Sequence, residues 1–180
     1  MIKKQFILLI LLPFLVVPGM LTADELRDPY KYFFDETWGD FQEELVKAKE
    51  ENKKAILVFF EMDECPFCHY MKKNVLNRKA VQDYYHKNFL MFNVDIEGDI
   101  EIVNMKGKKV KQKDFSFKEN RVRATPVIAF FDLNGKRIFR HTGKTAGIDE
   151  FMLIGEYVAQ GTYKEMSFTR YKRKVKNSKR

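Results

Sequence analysis

The chain has 180 residues, 45% of them apolar, with 17 Phe and 8 Tyr, so one hydrophobic core is well supplied and no room is left for a second domain. Its formal net charge of +8 is misleading: Lys3 and Lys4 stand at the start, residues 164–180 hold eight basic residues against Glu165, and the body, 24–163, carries 23 basic and 24 acidic residues. A near-neutral body argues against nucleic-acid binding, and two cysteines with three scattered histidines leave zinc without a second ligand pair.

In chain order, Lys3 and Lys4 precede the apolar run Phe6–Val17, and Pro18-Gly19 break it. Leu21-Thr22-Ala23 offers a cleavage site before Asp24, so residues 1–23 are read as a signal peptide. The run is shorter than the roughly 20 apolar residues of a membrane span, and an uncleaved anchor is the alternative. Export places the cysteines in an oxidising compartment, where a disulfide persists.

After a lead-in to about Phe34, Thr37–Glu51 is predicted helical, with Phe41, Leu45 and Ala48 on one side. Lys54–Phe60 is a continuous apolar run suited to a strand buried on both faces. The acidic loop Glu61–Glu64 follows. Pro66 opens the next helix, at a position where its missing N–H has no partner to lose. Tyr70, Met71, Val75 and Leu76 form the apolar stripe of that helix, which pauses near Asn77 and resumes over Ala80–Lys87.

Phe89–Ile96 is a second strand. Ile100–Asn104 and Lys109–Lys111, around Gly107, form a small hairpin, and Phe115–Asn120 a helical turn. Val127–Leu133 and Lys136–His141 are strands joined at Asn134-Gly135. A last amphipathic helix covers Asp149–Gln160 and ends at Gly161. The basic end, 164–180, reads as an unordered solubilising tail or as a weak contact to anionic lipid headgroups. The resulting class is α/β: a central mixed sheet flanked by helices, on the thioredoxin-like plan.

The two cysteines stand in DECPFCH, 63–69. Cys-x-x-Cys-His is a c-type haem attachment signature; Cys-x-x-Cys after a strand and at a helix start is a redox signature. For haem, His69 would be the proximal ligand, with Met105, Met152 or His141 distal. The strand content argues against that reading.

For exchange chemistry, Cys65 sits where free N–H groups and the helix dipole favour negative charge, so its pKa falls below the free value of about 8.5. Cys65 is the candidate nucleophile and Cys68, one turn inward, the resolving thiol. Pro66 and Phe67 tune the potential; His69 is a modulator of thiolate pKa or a plain surface residue. A bridge across so short a loop constrains the unfolded chain little, which weighs against a purely structural disulfide. Thr125-Pro126 before a buried strand reads as a cis-proline loop, turning the Thr125 backbone toward an extended substrate beside Cys65.

FFEMDECPFCHYM, ATPVIAFFDLNGK and HTGKTAGIDEF together resemble the extracytoplasmic thioredoxin-like proteins of the SoxW kind, over roughly 37–162. The resemblance implies a periplasmic thiol-disulfide oxidoreductase acting on protein or thiol substrates in the reducing direction. Its electrons would come from a membrane donor related to DsbD or CcdA, and its only prosthetic element is the Cys65–Cys68 disulfide, with no metal and no other cofactor. Thioredoxins keep a buried Asp six residues before the first cysteine; here that position is Phe59. Glu61 is the substitute candidate for a proton relay, against a solvated loop acid. A disulfide oxidase or isomerase of the same fold, and a peptide-binding module with incidental cysteines, are the alternatives.

Overall fold

Alternation along the first long strand explains how the chain divides its core. The computed structural model describes residues 25–178; the signal segment expected over 1–23 lies outside them. In β1, Ala55–Glu61, every residue is buried. Ala55, Leu57 and Phe59 point into one apolar layer, and Ile56, Val58 and Phe60 into the other. A strand covered on both sides needs a continuous apolar run, which KAILVFF supplies.

Three strands join it in the order β2–β1–β5–β6. Strand β2, Phe89–Asp95, runs parallel to β1. Strand β5, Val127–Phe131, is antiparallel to β1, and β6, Arg137–Thr142, antiparallel to β5. A separate hairpin pairs β3, Glu101–Val103, with β4, Lys109–Lys111. The connection between β5 and β6 is a loop over 132–136 rather than a bare two-residue turn, because the Asp132 carboxylate accepts the N–H groups of Asn134 and Lys136. Gly135 is required there: its φ is +75°, and a Cβ would meet the Met105 carbonyl oxygen at 2.9 Å.

Helix α1, Pro29–Tyr32, is a single turn in the lead-in. Helix α2, Phe41–Glu50, starts later than the sequence pattern suggested, because the Asp40 side chain caps it by accepting from Gln42 and Glu43. Helix α3, Pro66–Met71, passes into a π-helical turn, Lys72–Leu76, and then into α4, Lys79–Asn88. The short α5, Gln112–Asp114, continues into a second π-turn, Phe115–Glu119. Helix α6 spans Ile148–Ala159.

One layer packs α3, α4 and α6 on the sheet through Met71, Val75, Val81, Tyr85, Phe151 and Ile154. The other packs α2 and the second π-turn through Phe41, Leu45, Ala48 and Phe115.

The basic end differs from the unordered tail expected for it. Phe168–Ser178 forms helix α7. Tyr171 is buried, and Phe168 and Val175 pack against the first layer, while Lys172 pairs with Glu150 of α6. The period of Phe168, Tyr171 and Val175 is helical, and that apolar edge holds the segment down.

Candidate functional site

The site is built where β1 leaves the sheet. Cys65 has extended backbone (φ −120°, ψ 98°) and is the N-cap of α3; Pro66 is the first helical residue. Pro66 has its φ preset for a helix, so the turn begins at once and places the cysteine at its mouth. The Cys65 sulfur accepts the Cys68 N–H at 3.0 Å. The two cysteines are joined as a disulfide, with Cα atoms 5.2 Å apart. Cys65 is 4% exposed and Cys68 fully buried, so of the two residues Cys65 alone reaches the surface. The same free N–H groups that hold this sulfur would stabilise it as a thiolate.

Pro66, Phe67 and His69 are on the surface, and Phe67 exposes 53% of its area between the cysteines. The His69 ring reaches back to the loop: Nε2 lies 3.0 Å from the Asp63 carbonyl oxygen. A carbonyl only accepts, so Nε2 carries the proton in that bond. His69 thus ties the acidic loop to the first turn of α3.

Glu61 is not a solvated loop acid. It is the last residue of β1 and 6% exposed. Its Oε2 accepts from Lys72 Nζ at 2.6 Å and its Oε1 from Asn93 Nδ2 at 3.0 Å. Lys72 also donates to the Tyr30 hydroxyl. Burial alone would push the Lys72 ammonium down; the hydrogen bonds to Glu61 and Tyr30 outweigh it, and the net shift is upward. Lys72 follows Cys68 by four residues, on the same helical face. Phe59, where thioredoxins keep an acid, is fully buried in the layer that holds both cysteines.

The Thr125–Pro126 peptide bond is cis. Val127 pairs with Phe60, so this bend lies level with the end of β1, where the Cys65 loop departs. Thr125 is half-buried and Pro126 buried. The Pro126 carbonyl accepts the Gly143 N–H at 2.8 Å. Two residues on, Thr145 is fully buried and directs its N–H at the Met71 sulfur, 3.4 Å away. The loop after β6 is therefore pinned to the proline bend on one side and to α3 on the other.

Lys72, Tyr30, Lys144 and Thr145 are the site neighbours that the sequence reading passed over. Lys72 carried a signal, its spacing from Cys68. Lys144 and Thr145 lie in HTGKTAGIDEF, a stretch that carries family resemblance but no motif chemistry of its own; Tyr30 carries no such signal. Of the distal ligands nominated for haem, Met105 lies in the opposite core layer from the cysteines and His141 is half-buried on β6; Met152 packs on the cysteine layer.

The model of the thioredoxin-like domain matches residues 41–159. The chain belongs to the thioredoxin-like domain family. No curated protein matches it. Among solved structures, it is similar to a thioredoxin-fold protein from Helicobacter pylori, at 26% identity and TM-score 0.56, over 70% of this chain and 82% of that one. It is similar in fold to a DsbH oxidoreductase (19% identity, TM-score 0.54, 72% and 88% covered) and to a thioredoxin from Thermus thermophilus (19%, 0.52, 74% and 87%). The fold is thioredoxin-like, with a close Cys65–Cys68 pair. Among the described residues, no helix is long and apolar enough to cross a membrane.

Proposed function

We propose that the protein is an extracytoplasmic thiol-disulfide oxidoreductase, of the SoxW-like kind, that reduces disulfides in protein substrates. One observation carries the reading: Cys65 caps α3 with its sulfur against the Cys68 N–H, and it is the less buried residue of the pair. In the reduced protein the Cys65 thiolate attacks a substrate disulfide. One substrate sulfur leaves as a thiolate and takes up a proton, and the other is held in a mixed disulfide with Cys65. Cys68 then loses its proton and attacks the Cys65 sulfur. The second substrate thiol departs, and the Cys65–Cys68 disulfide remains. The substrate gains two electrons and two protons; the two cysteines lose the electrons and the Cys68 proton, and solvent supplies the second proton in place of the one Cys65 gave up on forming its thiolate.

The other residues take supporting roles. Thr125 and Pro126 meet the substrate backbone. Glu61, buried with Lys72 one turn from Cys68, relays the proton of the resolving thiol. Pro66, Phe67 and His69 set the potential. The redox-active disulfide is the whole prosthetic equipment. A membrane donor related to DsbD or CcdA restores the dithiol, and the cations of α7 hold the protein near the anionic headgroups around that donor. The leader over 1–23 directs the chain out of the cytoplasm.

Insulin reduction by the wild type and by Cys65→Ser tests this reading. Activity in the wild type and none in the variant is expected; equal rates would defeat it. Equilibration with glutathione or dithiothreitol tests the direction, and a potential near that of a strong oxidant would reverse it.

A further inference from the structure

One cation beside the cysteine pair is unspent. Lys144 is exposed, in the loop between β6 and α6. Its Nζ stands 4.3 Å from the centre of the Tyr70 ring and 6.0 Å from that of Phe67. Among the described residues, no carboxylate pairs with it. Lys72, by contrast, is bound to Glu61.

The backbone on both sides of Lys144 is fixed. Gly143 donates to the Pro126 carbonyl, and Thr145 packs on Met71 while its Oγ1 donates to the Gly147 carbonyl at 2.9 Å. The ammonium is thus delivered to two aromatic faces of the redox helix rather than left to wander. Stacking on rings keeps a cation in place without neutralising it.

The rim is also asymmetric. Asp63 and Glu64, both exposed, precede Cys65, whereas Lys144 stands beyond Phe67. A peptide lying over Phe67 and Tyr70 meets two aromatic rings and, beside them, an uncompensated positive charge.

We infer that Lys144 selects substrate disulfides carrying an acidic side chain on the flank that lies over Phe67 and Tyr70. The inference rests on the oxidoreductase reading and names its substrate class. An acid on the flank away from those rings gains nothing.

The test uses the full chain, reduced and freed of reductant, and mixed disulfides of short cysteine peptides with 2-mercaptoethanol. Four peptides place Asp or Lys before or after the cysteine, and single-turnover reduction rates are compared. On one flank the Asp peptide should react about two- to fivefold faster than the Lys peptide, the range of an exposed ion pair. High salt should flatten the ratio. Lys144→Glu should invert it and Lys144→Arg should retain it. Lys49→Glu, the same charge change on α2 across the sheet, should leave the ratio intact.

Equal rates for Asp and Lys peptides on both flanks would overturn the inference, as would an unchanged preference in Lys144→Glu. Either result leaves the oxidoreductase reading standing. If no peptide is reduced, that reading falls and this inference falls with it.

Discussion

Helices α2 and α3 begin in the same way and are put to different uses. At α2 the cap is Asp40, extended at φ −98°, whose carboxylate accepts from Gln42 and Glu43 at 2.8 and 3.2 Å. Glu43 and Glu44 add two more acids to that first turn. At α3 the cap is Cys65, with the same extended backbone, and the first turn contains no acid. A fixed carboxylate turns the free N–H groups of a helix start into stability. A sulfur turns them into reactivity, because its charge comes and goes with oxidation state and nothing in the turn competes for the field. The same cap position therefore holds a fixed carboxylate in one layer of the molecule and one sulfur of the Cys65–Cys68 pair in the other.

The comparison breaks most visibly at Cys65. Cys65→Ser should abolish insulin reduction, yet the thermal stability of the reduced form should not fall, since serine is among the preferred caps. Activity surviving in the variant would place the nucleophile elsewhere. Cys68→Ser should accumulate mixed disulfides with substrates on non-reducing gels; trapping only in the Cys65 variant would exchange the two roles.

Next in size is Glu61→Gln. It strips a mostly buried lysine of its charged partner, and urea denaturation should show a loss of about 1–3 kcal/mol. The pH dependence follows from Lys72, whose folded pKa lies above the ordinary 10.5. The stability from this raised value is fully present below the unfolded lysine value and is lost as pH rises through the folded one. Melting temperatures of the wild type and Glu61→Gln should therefore converge in that alkaline range; parallel curves would mean that the pair contributes little.

Asp40→Ala sharpens the other side of the contrast. It should cost about 1 kcal/mol in denaturant titration while leaving the rate of disulfide exchange unchanged. A loss of rate would mean that the two helix starts are coupled through the sheet.

The smallest effect lies away from both caps. Hydrogen bonds from Lys111 and Lys113 hold the Asp99 carboxyl down to about 2. Its contribution is present above the ordinary value of 3.8 and disappears as pH falls through about 2. Carboxyl NMR titration should report that depressed midpoint, rising with salt because the group is fully exposed.

Much of this was legible along the chain. KAILVFF read as a strand buried on both faces, and so it is, because burial on both faces removes alternation and leaves a run that only a central position explains. Pro66 marked the start of α3, because proline is acceptable where a helix has no N–H to lose. Thr125-Pro126 before an apolar strand indicated the bend. Other features were out of reach. Glu61 looked like the first acid of a solvated loop, since DECPFCH and its neighbours are rich in charge; its partners Lys72 and Asn93 come from the π-turn after α3 and from β2. Residues 164–180 looked unordered because charge dominates their composition, and three apolar positions sufficed to dock α7 once a surface existed to receive them.

The sequence by itself determined the α/β class, the strand that leads into α3, the pair Cys65 and Cys68, and the proline bend. Each of these depends on short-range spacing or on a residue whose backbone chemistry admits few conformations. Only the tertiary structure decided that Glu61 is buried against Lys72, that Phe59 packs in the layer holding both cysteines, and that Lys144 stands over Phe67 and Tyr70. Those facts depend on which distant segments the sheet brings together, and no local pattern encodes the distance between residues 61 and 93 or between 70 and 144.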